Sequence, residues 1–249
     1  QITPLVKRIT AGNSSVFTGP GTNTYIVGSG EDLTVVDPGP ALSEHIEAIV
    51  SSSSNLSRII VTHTHPDHSP GVSLLQAKVD IPAYGLITET TKNQDTSFKP
   101  AKMLTHGEVI EAEDHAFEVI HTPGHASNHL CYLLREEKLL FTGDHIMNGS
   151  TVVIAPPDGN MKDYLESLKM LKDYDLENIA PGHGELLSNP QAVADWIVQH
   201  RLEREEKVIE AIKKAKTGNP DSLVEAVYDD VDVSLFFAAK WSLEAHLIK

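Results

Sequence analysis

Six consecutive positions carry most of the chemistry open to this chain. The segment His63-Thr64-His65-Pro66-Asp67-His68 holds three imidazoles and one carboxylate directly after the apolar run Arg58 to Thr62. Imidazole and carboxylate donors without thiolate suit a catalytic zinc site, and manganese or iron accept the same donors. His63 and His65 are two positions apart, so extended backbone aims them the same way. Pro66 disfavours helix at His65. Asp67 and His68 then fall beside the start of the next helix, where a carboxylate is favoured. One loop therefore serves two cation positions, with His63 and His65 toward one and Asp67 and His68 toward the other.

Four donors do not close two sites, so others are needed where the chain returns to the same edge. Each later apolar run ends in one. Phe117 to His121 leads into Thr122-Pro123-Gly124-His125, Leu139 to Thr142 into Gly143-Asp144, and Ile179 to Pro181 into Gly182-His183-Gly184. His121 and His125 compete for the same role. The adjacent glycines allow tight turns and close backbone approach. Nucleotide-binding glycine motifs and a serine nucleophile elbow are absent, so neither a nucleotide cofactor nor a catalytic triad is expected.

The elements that position these donors are short. Asn23 to Gly28, Leu33 to Asp37, Arg58 to Thr62, Phe117 to His121, His129 to Leu134, Leu139 to Thr142 and Ile179 to Pro181 read as strands. Ala41 to Ser51 reads as a helix, Ser69 and Pro70 as the cap and first residue of another, and Asn160 as the cap of a third. The character changes near Pro190. Gln191 to Lys216 reads as one long charged helix, followed by helical patterns over Ser222 to Tyr228 and Ser234 to Leu247. A boundary near Ser188 separates a domain over 1–188 from a helical one over 189–249. Cys131 reads as a buried, inert thiol. His45, His106, His115, His200 and His246 read as surface histidines, and the run His200 to Lys207 as a solvated helix face.

The chain has 249 residues, 35 acids against 20 bases and a net charge of −15. That balance disfavours broad nucleic-acid binding, which draws on cations displacing counterions. One cysteine permits no internal disulfide. No membrane-length apolar run occurs, and Gln1-Ile2-Thr3-Pro4 lacks the features of a signal peptide. A cytoplasmic protein acting on a small molecule is the expectation.

The ordered elements resemble the metallo-β-lactamase superfamily: Asp37 after the second strand, the HxHxDH loop, then His125, Asp144 and His183. The likeness spans residues 1–188. Gly21-Thr22-Asn23-Thr24-Tyr25, Ala155-Pro156-Pro157-Asp158-Gly159 and His200-Arg201-Leu202-Glu203-Arg204-Glu205 resemble, more narrowly, the β-lactamase-like protein 2 branch. The resemblance implies an α+β fold, the αβ/βα four-layer sandwich, with a small all-helical C-terminal domain that is winged-helix-like but truncated. It implies that His63, His65 and His125 bind one metal, that Asp67, His68 and His183 bind a second, and that Asp144 bridges. Asp37 then supports the loop, and Asn128 and His129 support it or face substrate.

Two Zn2+ per chain would lower the pKa of a shared water to about 7, with Asp67 orienting it and taking its proton. A bridging hydroxide would then cleave a small ester, thioester, lactone or amide. The alternative is an endoribonuclease or phosphodiesterase acting on single-stranded RNA, since some members of that branch are implicated in such cleavage. An iron oxygenase commonly uses fewer ligands, and a binding module needs no open metal site. Specificity falls to the loops Ser14 to Asn23, Thr88 to Pro100 and Gly149 to Gly159. The helical tail offers a homodimer surface, a lid wall or an RNA contact.

Overall fold

Short β-branched runs punctuated by glycine and proline give two six-stranded sheets packed face to face, described over residues 1–249 by a computed structural model. The first sheet comes from the first part of the chain: β1 (Val6–Thr10), β2 (Asn23–Val27), β3 (Leu33–Val36), β4 (Leu56–Ile60), β5 (Ala83–Gly85) and β6 (Lys102–Met103), in that spatial order. β1 to β3 pair antiparallel, and β3 to β6 pair parallel. The crossovers carry helices α1 (Ser43–Ser52) and α2 (Gly71–Gln76).

The second sheet comes from the next part: β7 (Val109–Glu111), β8 (Ala116–His121), β9 (Leu130–Leu134), β10 (Leu139–Gly143), β11 (Asn178–Pro181) and β12 (Leu187–Ser188). Helix α3 (Met161–Met170) makes the crossover between parallel β10 and β11. Asn160 caps it by accepting from the N–H groups of Lys162 and Asp163.

β2, β3, β9 and β10 are buried at every position, because each has a sheet on one face and helices on the other. That is why they read as continuous apolar runs rather than as alternation. Tyr25, Val36 and Ile60 meet Phe117, Tyr132 and Phe141 between the sheets. Two phenols keep their polar ends satisfied there: Tyr25 donates to the Pro181 carbonyl and Tyr132 to that of Val61, each at 2.7 Å. Ile46, Ile49 and Leu75 cover the outer face of the first sheet, and Tyr164, Leu165 and Leu168 that of the second. Each such side chain contributes roughly 1.5–3 kcal/mol on burial. The result is the expected four-layer αβ/βα sandwich.

Helices α4 (Pro190–Ala215), α5 (Pro220–Val227) and α6 (Phe236–Ile248) follow. Val208, Leu223, Val227 and Leu243 form a core of their own, whereas Ala194, Ile197 and Ala245 join the core beneath the second sheet. No helix is long and apolar enough to cross a membrane.

Several local expectations are corrected. Ser69 does not cap α2; Pro70 holds that position, and Ser69 Oγ donates to Asp95 instead, at 2.7 Å. β1, β5, β6, β7 and β12 were not expected, being short or at the edges. His45, His115 and His246 are buried, not on the surface. His45 pairs with Thr24 at 2.8 Å, and His115 with Thr34 at 3.0 Å and Asp114 at 2.8 Å. Within His200 to Lys207, Arg201 and Arg204 are buried, so that helix face is not simply solvated.

Gly124 shows how tightly the layers meet. Its φ is +138°, and a Cβ there would lie 2.3 Å from Tyr164 Cα on α3. Backbone cannot yield as a side-chain tip can. Gly124→Ala is therefore expected to cost about 3 kcal/mol or more in urea unfolding; a loss under about 1 kcal/mol would show that α3 can move away.

Candidate metal centre

All seven expected donors come from loops that follow the C-terminal ends of strands. His63, His65, Asp67 and His68 follow β4, His125 follows β8, Asp144 follows β10 and His183 follows β11. They form two groups. His63, His65 and His125 make one, and Asp67, His68, Asp144 and His183 the other, with donor atoms in each group within 4.8 Å of one another.

In the first group His63 Nε2 lies 3.0 Å and His125 Nε2 2.9 Å from the single atom His65 Nδ1. In the second, Asp144 Oδ1 lies 3.3 Å from His68 Nε2 and 3.2 Å from His183 Nε2. Asp67 Oδ2 is 3.2 Å from His183 Nε2. Asp144 also points its other oxygen at the first group, 3.6 Å from His125 Nε2. A single carboxylate thus faces both. Gly182 permits this approach, since a Cβ there would sit 2.8 Å from His68 Cε1 and 2.9 Å from Asp144 Oδ1.

Outer hydrogen bonds decide which nitrogen each ring presents inward. Thr62 Oγ1 donates to Asp37 at 2.7 Å, so it accepts from His63 Nδ1 at 3.1 Å. His68 Nδ1 donates to the Asp37 carboxylate at 2.9 Å. His125 Nδ1 donates to the Val153 carbonyl at 2.8 Å, and His183 Nδ1 to that of Gly21 at 3.2 Å. Each of these rings is left with Nε2 facing the centre. Asp37 itself sits at φ +49°, a conformation that Asp tolerates, and also accepts the Thr62 backbone N–H at 2.7 Å.

Asn128 and His129 are both buried and hold the loops rather than lining the cleft. Asn128 Nδ2 donates to Thr64 Oγ1 at 2.7 Å and to the Leu86 carbonyl at 2.9 Å. His129 Nε2 accepts the Asp144 N–H at 3.2 Å, and its Nδ1 donates to Thr122 at 2.9 Å. His121 stands outside both groups and donates to the Ser127 carbonyl at 2.9 Å.

The electrostatics of the groups differ. Burial pushes His63 well below its ordinary value and His65 down to about 3, with His125 adding to the latter, and burial also lowers His125. Burial opposes charge on His68 and His183 too, but carboxylates outweigh it. Asp67, Asp144 and Asp37 hold His68 well above the usual range, and Asp144 and Asp67 raise His183 to about 10. Burial opposes ionisation of Asp144, yet His183 and His68 keep it well below the carboxylate range.

His68 Nε2 and Asp144 Oδ1 are buried without a hydrogen-bond partner. Orphaned buried donors and acceptors are costly, and here they converge with neutral imidazole nitrogens on common points. A divalent cation bound by nitrogen and oxygen donors satisfies all of them together, so the residues present fit such ions.

A cleft of about 580 Å³ opens over His65, Asp67, His125 and Asp144. The three loops expected to set specificity all line it, through Phe17, Lys92 and the Ser150 to Asp158 segment. Trp241 of α6 was not anticipated there; it closes one wall, with Phe17 stacked on it at 6.4 Å. The backbone carbonyls of Gly21 and Val153 were also missed, since no residue type signals a carbonyl's direction. His145 was missed too: it is buried, with both ring nitrogens unpartnered.

A sequence profile of the metallo-beta-lactamase superfamily matches residues 17–183. The chain is 29% identical over 248 residues to a Caenorhabditis elegans beta-lactamase-like protein 2 homolog, covering 96% of this chain and 81% of that one. It is 35% identical over 225 residues to an atrochrysone carboxyl ACP thioesterase of Aspergillus chevalieri, covering 88% and 69%. Among solved structures, a metallo-beta-lactamase family protein of Thermus thermophilus superposes with a TM-score of 0.78 at 18% identity, covering 99% and 93%, a likeness of fold.

The titrating groups set opposite pH limits on the cation-free protein. Burial holds His45 at about 4 and His65, His145 and His246 at about 3, against 6.5 for a free imidazole. Stability from these neutral rings is present above pH 6.5 and lost as pH falls toward those values. His183 works the other way: its contribution is present below 6.5 and lost as pH rises toward 10. Unfolding by urea after chelation should therefore show maximal stability near pH 6.5. Zn2+ should flatten the alkaline fall, because a cation takes the place of the displaced proton. A steady rise in cation-free stability up to pH 9 would overturn the role given to His183.

Proposed function

The chain belongs to the metallo-beta-lactamase superfamily and is a metal-dependent hydrolase, and we propose that it is a dinuclear zinc enzyme cleaving small acyl esters, thioesters first among them. The observation that carries the substrate class is the charge of the cleft. Beyond the metal-centre residues, its lining includes one cation, Lys92, and one anion, Asp158, among neutral and apolar side chains such as Phe17, Met147, Val152 and Trp241. A nucleic-acid strand is held by several cations along its phosphates. An uncharged acyl group needs apolar walls and a few directional polar groups. The Aspergillus chevalieri relative is a thioesterase, which supports the same reading.

Divalent cations, when bound at the two groups, supply Lewis acidity and a water that ionises near pH 7. The chain's own residues do the rest. Asp67 is a quarter exposed at the cleft floor, with Oδ2 beside His183 Nε2 at 3.2 Å and in reach of the Thr22 hydroxyl at 3.4 Å. It orients the attacking water and accepts its proton. Phe17, Val152 and Trp241 exclude bulk water and seat the acyl chain.

Purified protein loaded with Zn2+ should turn over a panel of acyl thioesters far faster than it cleaves single-stranded RNA. RNA cleavage without ester or thioester turnover would overturn the substrate class. Asp67→Ala is expected to lower kcat by roughly 10²–10⁴-fold; full turnover in that variant would remove its proton-handling role.

A further inference from the structure

Three consecutive residues, Val152, Val153 and Ile154, join the helical tail to the metal centre. The Val153 carbonyl accepts from His125 Nδ1 at 2.8 Å. On either side of it the tail takes hold. Arg201 of α4 donates through Nη2 to the Val152 carbonyl, and Ser242 of α6 accepts the Ile154 N–H at 3.1 Å. The loop carries no ladder hydrogen bonds of its own, since Thr151 to Ala155 lies outside every strand and helix.

Arg201 is buried, at 3% exposure. Its guanidinium lies 5.6 Å from the Tyr164 ring centre, and Tyr164 in turn donates to the His145 carbonyl at 2.9 Å. His145 adjoins Asp144, and its ring faces His129, which holds the Asp144 N–H. Burying a guanidinium is costly unless its partners are well placed. Here they are the Val152 carbonyl and the Tyr164 ring, and the Nε of Arg201 has no partner at all.

We propose that Arg201 and Ser242 are positioning residues for the metal centre, clamping the 152–154 loop so that the Val153 carbonyl holds His125 with Nε2 directed inward. The tail is then a structural part of the first group, His63, His65 and His125, and not only a wall of the cleft. Arg204, three residues further on, is the natural control. It is also buried, but it pairs with Asp230 at 2.7 Å and bonds the Val227 carbonyl within the tail.

The test is a Zn2+ titration against a competing chelator, using the full chain with Arg201→Met, Ser242→Ala and Arg204→Met. Loss of an outer hydrogen-bonding partner commonly weakens metal binding 10–100-fold. Arg201→Met is expected to weaken one of two Zn2+ equivalents by that range and to leave the other within a few-fold, with Ser242→Ala shifting the same equivalent less. Arg204→Met should lower the melting temperature and leave both affinities unchanged. Should Arg201→Met fail to fold, Ser242→Ala decides alone, because it removes a single hydroxyl. Unchanged binding in the folded variants, or an equal loss in Arg204→Met, would overturn the proposal. The site selectivity rests on the two-cation reading. A wild-type chain binding one equivalent overturns that reading, and the clamp is then judged by whether this one equivalent weakens.

Discussion

Everything at the centre depends on imidazole rings being held by their outer nitrogens. Asp37 is the main anchor. Its carboxylate takes the Thr62 N–H, the Thr62 hydroxyl and His68 Nδ1, so one buried group fixes both the entry to the His63–His68 loop and the orientation of two rings. Backbone carbonyls from Gly21 and Val153 do the same for His183 and His125. The inward lone pairs of the neutral His63, His65 and His125 rings repel one another. The sandwich must therefore pin each ring strongly enough to keep it there, and the deep packing of the two sheets supplies that rigidity.

This arrangement conflicts with the rules that govern the rest of the molecule. Many buried polar groups away from the centre are paired: Tyr25 and Tyr132 to carbonyls, His45 to Thr24, His115 to Thr34. At the centre His68 Nε2 and Asp144 Oδ1 are not. Such local violations concentrate where a protein does chemistry. The charge pattern agrees, since four neighbouring groups split between neutral imidazoles and a carboxylate–imidazolium set.

Much of this was legible in the sequence. Seven donors stand directly after apolar runs, and the structure brings those seven into two groups. The strands carrying them read clearly because each is largely buried and so largely apolar. What stayed hidden depends on partners distant along the chain. His45 and His115 read as surface residues because Thr24 and Thr34, which satisfy them, lie 21 and 81 positions away. Arg201 read as part of a charged face because nothing in its neighbours reveals the Val152 carbonyl. The edge strands β6 and β12, two residues each, hold too little pattern to register.

Each sheet is woven from one uninterrupted stretch of chain, 6–103 for the first and 109–188 for the second. The donors divide along the same line. His63, His65, Asp67 and His68 belong to the earlier stretch, and His125, Asp144 and His183 to the later. Neither stretch on its own owns a full coordination set for either group. Tight cation capture is thus a property of the docked pair alone, and the ion acts as a rivet driven only after both plates are aligned.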